Sequence, residues 1–127
     1  MSRTTRQLSG DQAEALAERF LHQAGLRTVM RNYRCRAGEI DLVMLDDSDV
    51  PPEVLVFVEV RSRAPDALVT AVETVDEHKQ RKLIQAARHF LLARCDFADH
   101  PCRFDVIGLD DPEQAPCWIR NAFEAAA

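Results

Sequence analysis

The fold is decided by residues 54–61, Val54-Leu55-Val56-Phe57-Val58-Glu59-Val60-Arg61. The run is continuously apolar up to its acid, which is typical of a central strand covered on both faces. An ionised carboxylate in such a run is costly to bury unless a cation or several donors meet it. Because strand side chains alternate, Glu59 and Arg61 point to one side, and Val58 and Val60 to the other. The run therefore predicts a core strand that carries a polar site.

A second strand with an acid precedes this one. Residues 38–42, Gly38-Glu39-Ile40-Asp41-Leu42, begin a strand that the pattern extends to Leu45. Residues 46–52 then contain four short polar side chains and two prolines, which favour a turn. Thr28–Arg34, with β-branched and aromatic residues in partial alternation, is predicted to be the first strand.

Helical patterns flank these strands. Ser9 is a candidate N-cap for a helix that Gly25 ends, and Asp76 is one for a helix whose apolar stripe reaches Leu91. Residues 103–109 read as a fourth strand, residues 117–119 as a short fifth strand or apolar clasp, and residues 66–74 as a loop or short helix. We therefore predict an α/β fold with a mixed central sheet of four to five strands. The first three are an antiparallel meander, and the second helix provides a right-handed crossover to a parallel fourth strand.

The bulk properties are those of one globular domain. The 127 residues suffice for a core and are predicted to form a single domain, 1–127, with residues 1–8 as a flexible tail. No apolar run reaches the roughly 20 residues of a membrane span, and no secretory signal is present, so we expect no membrane partner and a cytoplasmic location. The four cysteines lack the spacing of a zinc site and are expected to be reduced thiols.

The charge balance leaves two interpretations open. The formal net charge of −5 argues against nucleic acid, which is bound mainly through Lys and Arg. However, ten of these cations lie between Arg27 and Arg88, while many acids crowd into predicted turns. The pattern allows either a local basic face or ordinary solvated charges.

Several motifs together resemble a known family. Asp41, a turn and then Glu59-Val60-Arg61 is similar to the aspartate, acid-x-lysine signature of the PD-(D/E)XK nuclease superfamily. The wider set comprises Gly10 with Glu14, Asn32-Tyr33-Arg34, Gly38–Leu42, Phe57–Arg61 with Arg63, Lys79 with Arg81-Lys82-Leu83, and Arg103–Ile107. This set resembles the YraN-like family of bacterial proteins, predicted to be endonuclease-like and similar in layout to archaeal Holliday-junction resolvases. The resemblance covers roughly residues 10 to 121.

The resemblance implies a restriction-endonuclease-like core that holds Mg²⁺ or Mn²⁺ beside a scissile phosphate. Asp41 and Glu59 would be the main metal ligands and Glu14 a third. Arg61 would occupy the lysine position of the superfamily, and Lys79 matches a basic position of the family. Because a guanidinium stays charged, Arg61 cannot act as a base and would stabilise charge instead. The candidate catalytic residues are thus Asp41, Glu59 and Arg61.

The chemistry of the acids agrees with this placement. Mg²⁺ prefers oxygen ligands, stabilises charge on the attacking and leaving oxygens, and lowers the pKa of bound water. If Glu14, Asp41 and Glu59 converge, two anions about 4 Å apart repel by roughly 4 kcal/mol at an effective dielectric near 20, so the site should attract a cation or a proton.

Each acid also has a structural interpretation. Asp41 could pair with Arg34 or Arg36, Glu59 could form an ion pair with Lys79, and Glu14 could be an ordinary exposed helix acid. For Glu39 a salt bridge is the preferred interpretation.

The leading function hypothesis is a metal-dependent endodeoxyribonuclease, acting on DNA that includes branched or junction DNA. Contacts to nucleic acid are predicted for Arg34, Arg63, Lys79 and Lys82. The alternative is a non-catalytic module that keeps the fold and binds nucleic acid or protein. Because a junction presents symmetric strands, a homodimer is one assembly that the resemblance allows, with Phe104–Ile107 or Trp118 and Ile119 belonging either to its interface or to the core.

Overall fold

A computed structural model describes residues 9–48, 51–63, 70–111 and 113–125. In this part of the chain there are two α-helices, two short 3₁₀ turns and five strands. The elements are α1 (Gly10–Gln23), β1 (Arg27–Cys35), β2 (Gly38–Asp46), β3 (Val54–Ser62), a 3₁₀ turn (Val72–Thr74), α2 (Glu77–Ala93), a second 3₁₀ turn (Cys95–Phe97), β4 (Cys102–Leu109) and β5 (Cys117–Phe123). The predicted tail 1–8 lies outside the described residues, as do part of the turn before β3 and residues 66–69 of the predicted 66–74 segment, whose remaining residues contain the 3₁₀ turn.

The five strands form one mixed sheet in the order β1-β2-β3-β4-β5. The pairs β1–β2, β2–β3 and β4–β5 are antiparallel, whereas β3 and β4 are parallel and are joined through α2. The predicted α/β fold, the meander and the parallel crossover are therefore confirmed. The apolar run of β3 lies at the centre of the sheet.

The sheet has a hydrophobic core on each face. Val56 and Val58 of β3 belong to the core under α1, whereas Leu55 and Phe57 belong to the core under α2. On the α2 side the rings of Phe57 and Phe104 stack with centroids 5.5 Å apart. Alternate residues of one strand therefore hold the two helices on opposite faces.

Both helices begin where the sequence predicts. Ser9 accepts a hydrogen bond from the Gln12 amide, and the Gln12 side chain accepts one from the Ser9 amide, which completes a capping box. Asp76 accepts from the amide of Lys79 at the start of α2. These caps fix where the first turn of each helix lies.

A buried ionic cluster fastens the end of the sheet where β4 begins. Asp105 is fully buried and accepts hydrogen bonds from the Arg103 guanidinium, the Trp118 indole and the amide of Asn121. Arg103 also lies 2.8 Å from an oxygen of buried Asp46. The cluster ties β2, β4 and β5 together and supports the irregular register of β5, where Asn121 has a φ of 52°.

The structure decides three further expectations. Phe104–Ile107, for which the sequence left a dimer interface and the core open, is buried inside the sheet and belongs to the core. All four cysteines are free, as predicted. Within the described residues, neither helix is long and apolar enough to span a membrane.

Candidate functional site

The site forms where β2 and β3 separate. Their paired register stops at Leu42 and Val58. One residue beyond, the Asp41 carboxylate accepts a hydrogen bond of 2.8 Å from the backbone amide of Val60. A side chain of one strand thus takes the place of a carbonyl that the ladder would have supplied. The opening leaves room for polar side chains inside the sheet.

The neighbouring strand β1 is distorted at the same level. Asn32 lies between the register pairs Arg31–Leu42 and Tyr33–Ile40, so it faces Asp41. Its φ of 52° is left-handed, a conformation that Asn adopts at lower cost than most residues. The regular alternation of β2 is interrupted here too, since Ile40 packs on the α2 side and Leu42 on the α1 side. The irregular backbone of both strands therefore coincides with the site.

Three carboxyl groups meet at this opening. Asp41 on β2 makes side-chain hydrogen bonds both with Glu14 on α1 and with Glu59 on β3. The Asn32 side chain also hydrogen-bonds Glu14. Asp41 and Glu59 are only 7% and 5% exposed. Because two carboxylates cannot donate to each other, each carboxyl–carboxyl contact needs a proton on one partner.

Burial raises the pKa values of all three acids, and the charge of Asp41 adds to the shifts of Glu59 and Glu14. Desolvation and then the charge of Asp41 raise the pKa of Glu59 to about 8. Desolvation, followed by the charge of Asp41 and its hydrogen bond, raises the pKa of Glu14 to about 7. The pKa of Asp41 is raised mainly by desolvation, and the Val60 amide opposes this shift. Glu14 and Glu59 therefore retain protons near neutral pH, as the convergence of the acids predicts.

Two cations reach the same acids. Arg61 Nε lies 3.0 Å from Glu59 Oε2, and Lys79 Nζ of α2 lies 3.6 Å from the same oxygen. The buried Arg61 Nε has no hydrogen-bond partner in the described structure, so its contact with Glu59 is an ion pair rather than an aligned hydrogen bond. Both side chains remain about 30% exposed. The cations therefore lie at the rim of the site, between the acids and solvent.

The structure brings most of the predicted site residues together. Asp41, Glu59 and Arg61 converge, and the helix acid Glu14 joins them. Arg34 pairs with Glu39 at 3.0 Å, which confirms the salt bridge expected for Glu39 and leaves Asp41 to other partners. The structural interpretation of Glu59 also holds in part, because it does pair with Lys79.

The four residues expected to contact nucleic acid are spread more widely. Lys79 turns toward Glu59 and Arg34 toward Glu39, whereas Lys82 lies exposed on α2 and Arg63 exposed after β3. Sequence reasoning missed Asn32 as a member of the site. Asn is one of the few residue types that adopt a left-handed backbone readily, but a strand pattern does not show where the strand will be distorted.

The donor set suits a hard divalent cation. Three carboxylates supply the oxygen ligands that Mg²⁺ and Mn²⁺ favour, and protons now neutralise positions that a cation would fill. Within the described ranges, however, no three His, Cys, Asp or Glu side chains are already arranged as metal ligands. Holding a cation here therefore requires loss of protons and small movements of the carboxyl groups.

A cleft of about 200 Å³ adjoins the outer side of the site. Its lining comprises Asp11, Glu14, Ala15, Glu18, Arg31, Asn32 and Leu42. Glu18 is neutralised by Arg31, whose Nε lies 2.8 Å from its carboxylate. Through Glu14 and Asn32, this cleft gives the acids a connection to solvent on the α1 side.

Comparison with known proteins assigns the chain to a defined family. A sequence model of the Uncharacterised protein family UPF0102 matches residues 13–109. A UPF0102 protein of Stutzerimonas stutzeri strain A1501 is 54% identical over 121 residues, which are 94% of this chain and 97% of the relative. A UPF0102 protein of Alcanivorax borkumensis is 48% identical over 118 residues, covering 91% of this chain and 90% of the relative. For a UPF0102 protein of Nitrosococcus oceani the identity is 42% over 125 residues, 97% of each chain. The matched segment contains Glu14, Asp41, Glu59 and Lys79, and the chain belongs to the Uncharacterised protein family UPF0102.

Proposed function

We propose that the protein is a metal-dependent endonuclease that hydrolyses phosphodiester bonds in DNA in the cytoplasm. The observation that carries the proposal is the contact of Asp41 with both Glu14 and Glu59 at the point where β2 and β3 separate. Structural acids in a sheet are normally paired one to one with cations. Here three acids gather instead, and the resulting repulsion is relieved by a bound cation or by protons.

The residues have separable roles in this reaction. Asp41 and Glu59 would hold Mg²⁺ or Mn²⁺, with Glu14 as a third ligand from α1. The bound ion supplies charge stabilisation and a water of lowered pKa. The amide of Val60 fixes the orientation of the Asp41 carboxylate through its 2.8 Å hydrogen bond.

The two cations act on the phosphate rather than on the proton. Arg61 remains charged at all physiological pH values, so it stabilises negative charge on a phosphate oxygen and does not remove a proton from water. Lys79 lies 3.6 Å from the same Glu59 oxygen, and it would be available for phosphate contact if a metal ion took over that carboxylate. Their partial exposure leaves both side chains accessible to a substrate approaching from solvent.

Cleavage of supercoiled and branched DNA with Mg²⁺, with Mn²⁺ and with EDTA tests the proposal. We expect metal-dependent cleavage that Asp41→Asn lowers at least a hundredfold. Glu39→Gln is the matched control, since it makes the same kind of change at an exposed acid of β2 that pairs with Arg34. Cleavage that is absent from the unmodified protein in every metal would contradict the proposal, as would equal loss in both variants.

One observation favours a second candidate, a non-catalytic nucleic-acid-binding module. Glu59 already lies against Arg61 and Lys79 without a metal, so the acids can persist as structural groups. A module of this kind would bind DNA in EDTA, keep its affinity in Asp41→Asn, and show no cleavage with either metal.

A further inference from the structure

The two helices carry opposite charge on opposite faces of the sheet. α1 contains three acids and one arginine, whereas α2 contains four lysines and arginines and one glutamate. The whole chain has a formal charge of −5. The positive side of α2 therefore stands out against an acidic protein and supports a local basic face over ordinary solvated charges.

Most cations of α2 face outward. Arg81, Lys82 and Arg88 are exposed, while Lys79 turns inward to Glu59. Arg81 and Arg88 are seven residues apart, so they lie on one line of the helix, about 10 Å from each other. The only acid of the helix, Glu77, lies 4.0 Å from Arg81 in a fully solvated contact that contributes little.

The turn between β1 and β2 extends the same surface. A Cβ atom added at Gly38 would lie 3.6 Å from the Lys82 Cβ, so the turn packs directly beside this lysine. The turn carries Arg36, which is exposed. The basic surface, defined here as Arg36, Arg81, Lys82 and Arg88, therefore includes side chains from two elements and continues through Lys79 to Glu59.

The chemistry of this surface suits the backbone of a double helix. Proteins that bind single strands add aromatic side chains on which bases stack. The only aromatic ring of α2 other than histidine is Phe90, which is fully buried beneath the helix. Apart from its two histidines, the helix exposes cations and no ring, which favours contacts to phosphates over stacking on unpaired bases.

We propose that the basic surface binds the phosphate backbone of double-stranded nucleic acid and directs it toward Glu59. This inference deepens the proposed function by naming the form of the substrate and its path, and it rests on that function for the reaction but not for the binding. Of the cations expected from the sequence to contact nucleic acid, Lys82 belongs to this surface, whereas Lys79 links it to the acids.

Fluorescence anisotropy in EDTA tests the surface without any cleavage. The probe is a labelled 20-base-pair duplex, compared with a single strand of the same length over a range of salt concentrations. The double variant Arg81→Ala with Lys82→Ala should bind the duplex at least tenfold more weakly. The slope of log K against log salt should become shallower by about 2, since each lost phosphate contact removes about 0.9. The matched control, Arg19→Ala with Arg120→Ala, removes two exposed cations outside α2 and should leave the slope unchanged.

Several outcomes would overturn the inference. These are no duplex binding, tighter binding of the single strand, equal losses in the two double variants, or displacement of the duplex by polyglutamate at equal charge concentration, which would indicate an acidic protein as partner. The result is independent of catalysis, because binding is measured without metal. Duplex binding through α2 with no cleavage in any metal would refute the nuclease proposal alone.

Discussion

Replacing Glu59 with glutamine should remove much of the pH dependence of folding stability between about pH 4.5 and pH 8. Glutamine keeps the shape of the side chain and can still hydrogen-bond Asp41, but it cannot ionise. In the unmodified protein, Glu59 is 5% exposed, and burial with the charge of Asp41 raises its pKa from 4.5 to about 8. The folded state therefore holds a proton on Glu59 at pH values where the unfolded chain has released it.

The sign and size of the effect follow from this pKa difference. Stability that depends on the bound proton is fully present below about pH 4.5 and is lost as the pH rises through about 8. Each pKa unit corresponds to 1.36 kcal/mol, so a shift from 4.5 to about 8 amounts to about 5 kcal/mol over the whole window. The Glu59→Gln protein should have nearly the same stability as the unmodified protein at pH 5 and exceed it by several kcal/mol at pH 9.

Urea unfolding from pH 5 to pH 9, followed by the fluorescence of Trp118, measures this difference. Trp118 is the only tryptophan of the chain and packs edge-on against Phe20, so its emission reports unfolding. Glu39→Gln, at an exposed acid on the same strand as Asp41, should change the curve far less than Glu59→Gln does. Parallel curves for Glu59→Gln and the unmodified protein would refute the reasoning, because they would mean that Glu59 binds no extra proton in the folded state.

Three further variants test the fold by the same unfolding assay. Gly108→Ala should destabilise the protein by about 1–3 kcal/mol, because the added Cβ would lie 2.8 Å from the Val72 Cγ2 atom. A second change, Val72→Ala, should recover part of this loss, and an undiminished loss in the double variant would contradict the proposed cause. Arg103→Met should cost about 3–5 kcal/mol by leaving Asp105 buried without its cation, and a cost under 1 kcal/mol would show that the cluster is not coupled to folding. Ser9→Ala should cost about 1 kcal/mol through loss of the capping box, with Ser9→Asp close to neutral because aspartate caps as well.

The sheet was predictable because its signals are local. The apolar run of β3 and the helical spacing of α1 and α2 are each set by neighbouring residues, and the short meander limits the order of the first strands. The extent of β5 was not predictable. It continues to Phe123 because the Asn121 amide donates to buried Asp105, and no pattern in residues 117–123 reveals a contact made 16 positions earlier.

The candidate site, too, was predictable from the sequence only where its signals are local. Asp41 and Glu59 are acids within apolar strand patterns, so the sequence alone identifies them as candidate site residues. The meeting of Glu14 with Asp41 depends on how α1 packs on the sheet, and only the family resemblance indicated it. The direction of Lys79 depends on the rotation of α2 over its core, which places this side chain on Glu59 rather than in solvent. Helical spacing fixes which residues share a face but not which neighbour that face meets.

The order of the sheet has a consequence for how the molecule assembles during synthesis. Strands β1, β2 and β3 are adjacent in both chain and space, whereas β4 can join β3 only after α2 has been made. Contacts between residues close in sequence form faster than distant ones. We therefore expect the Asp41–Glu59 pair to meet before α2 and β4 have docked, so that early intermediates would expose these acids to water. Docking of β4 and α2 would complete their burial, and only then would the carboxyl groups acquire their unusual affinity for protons.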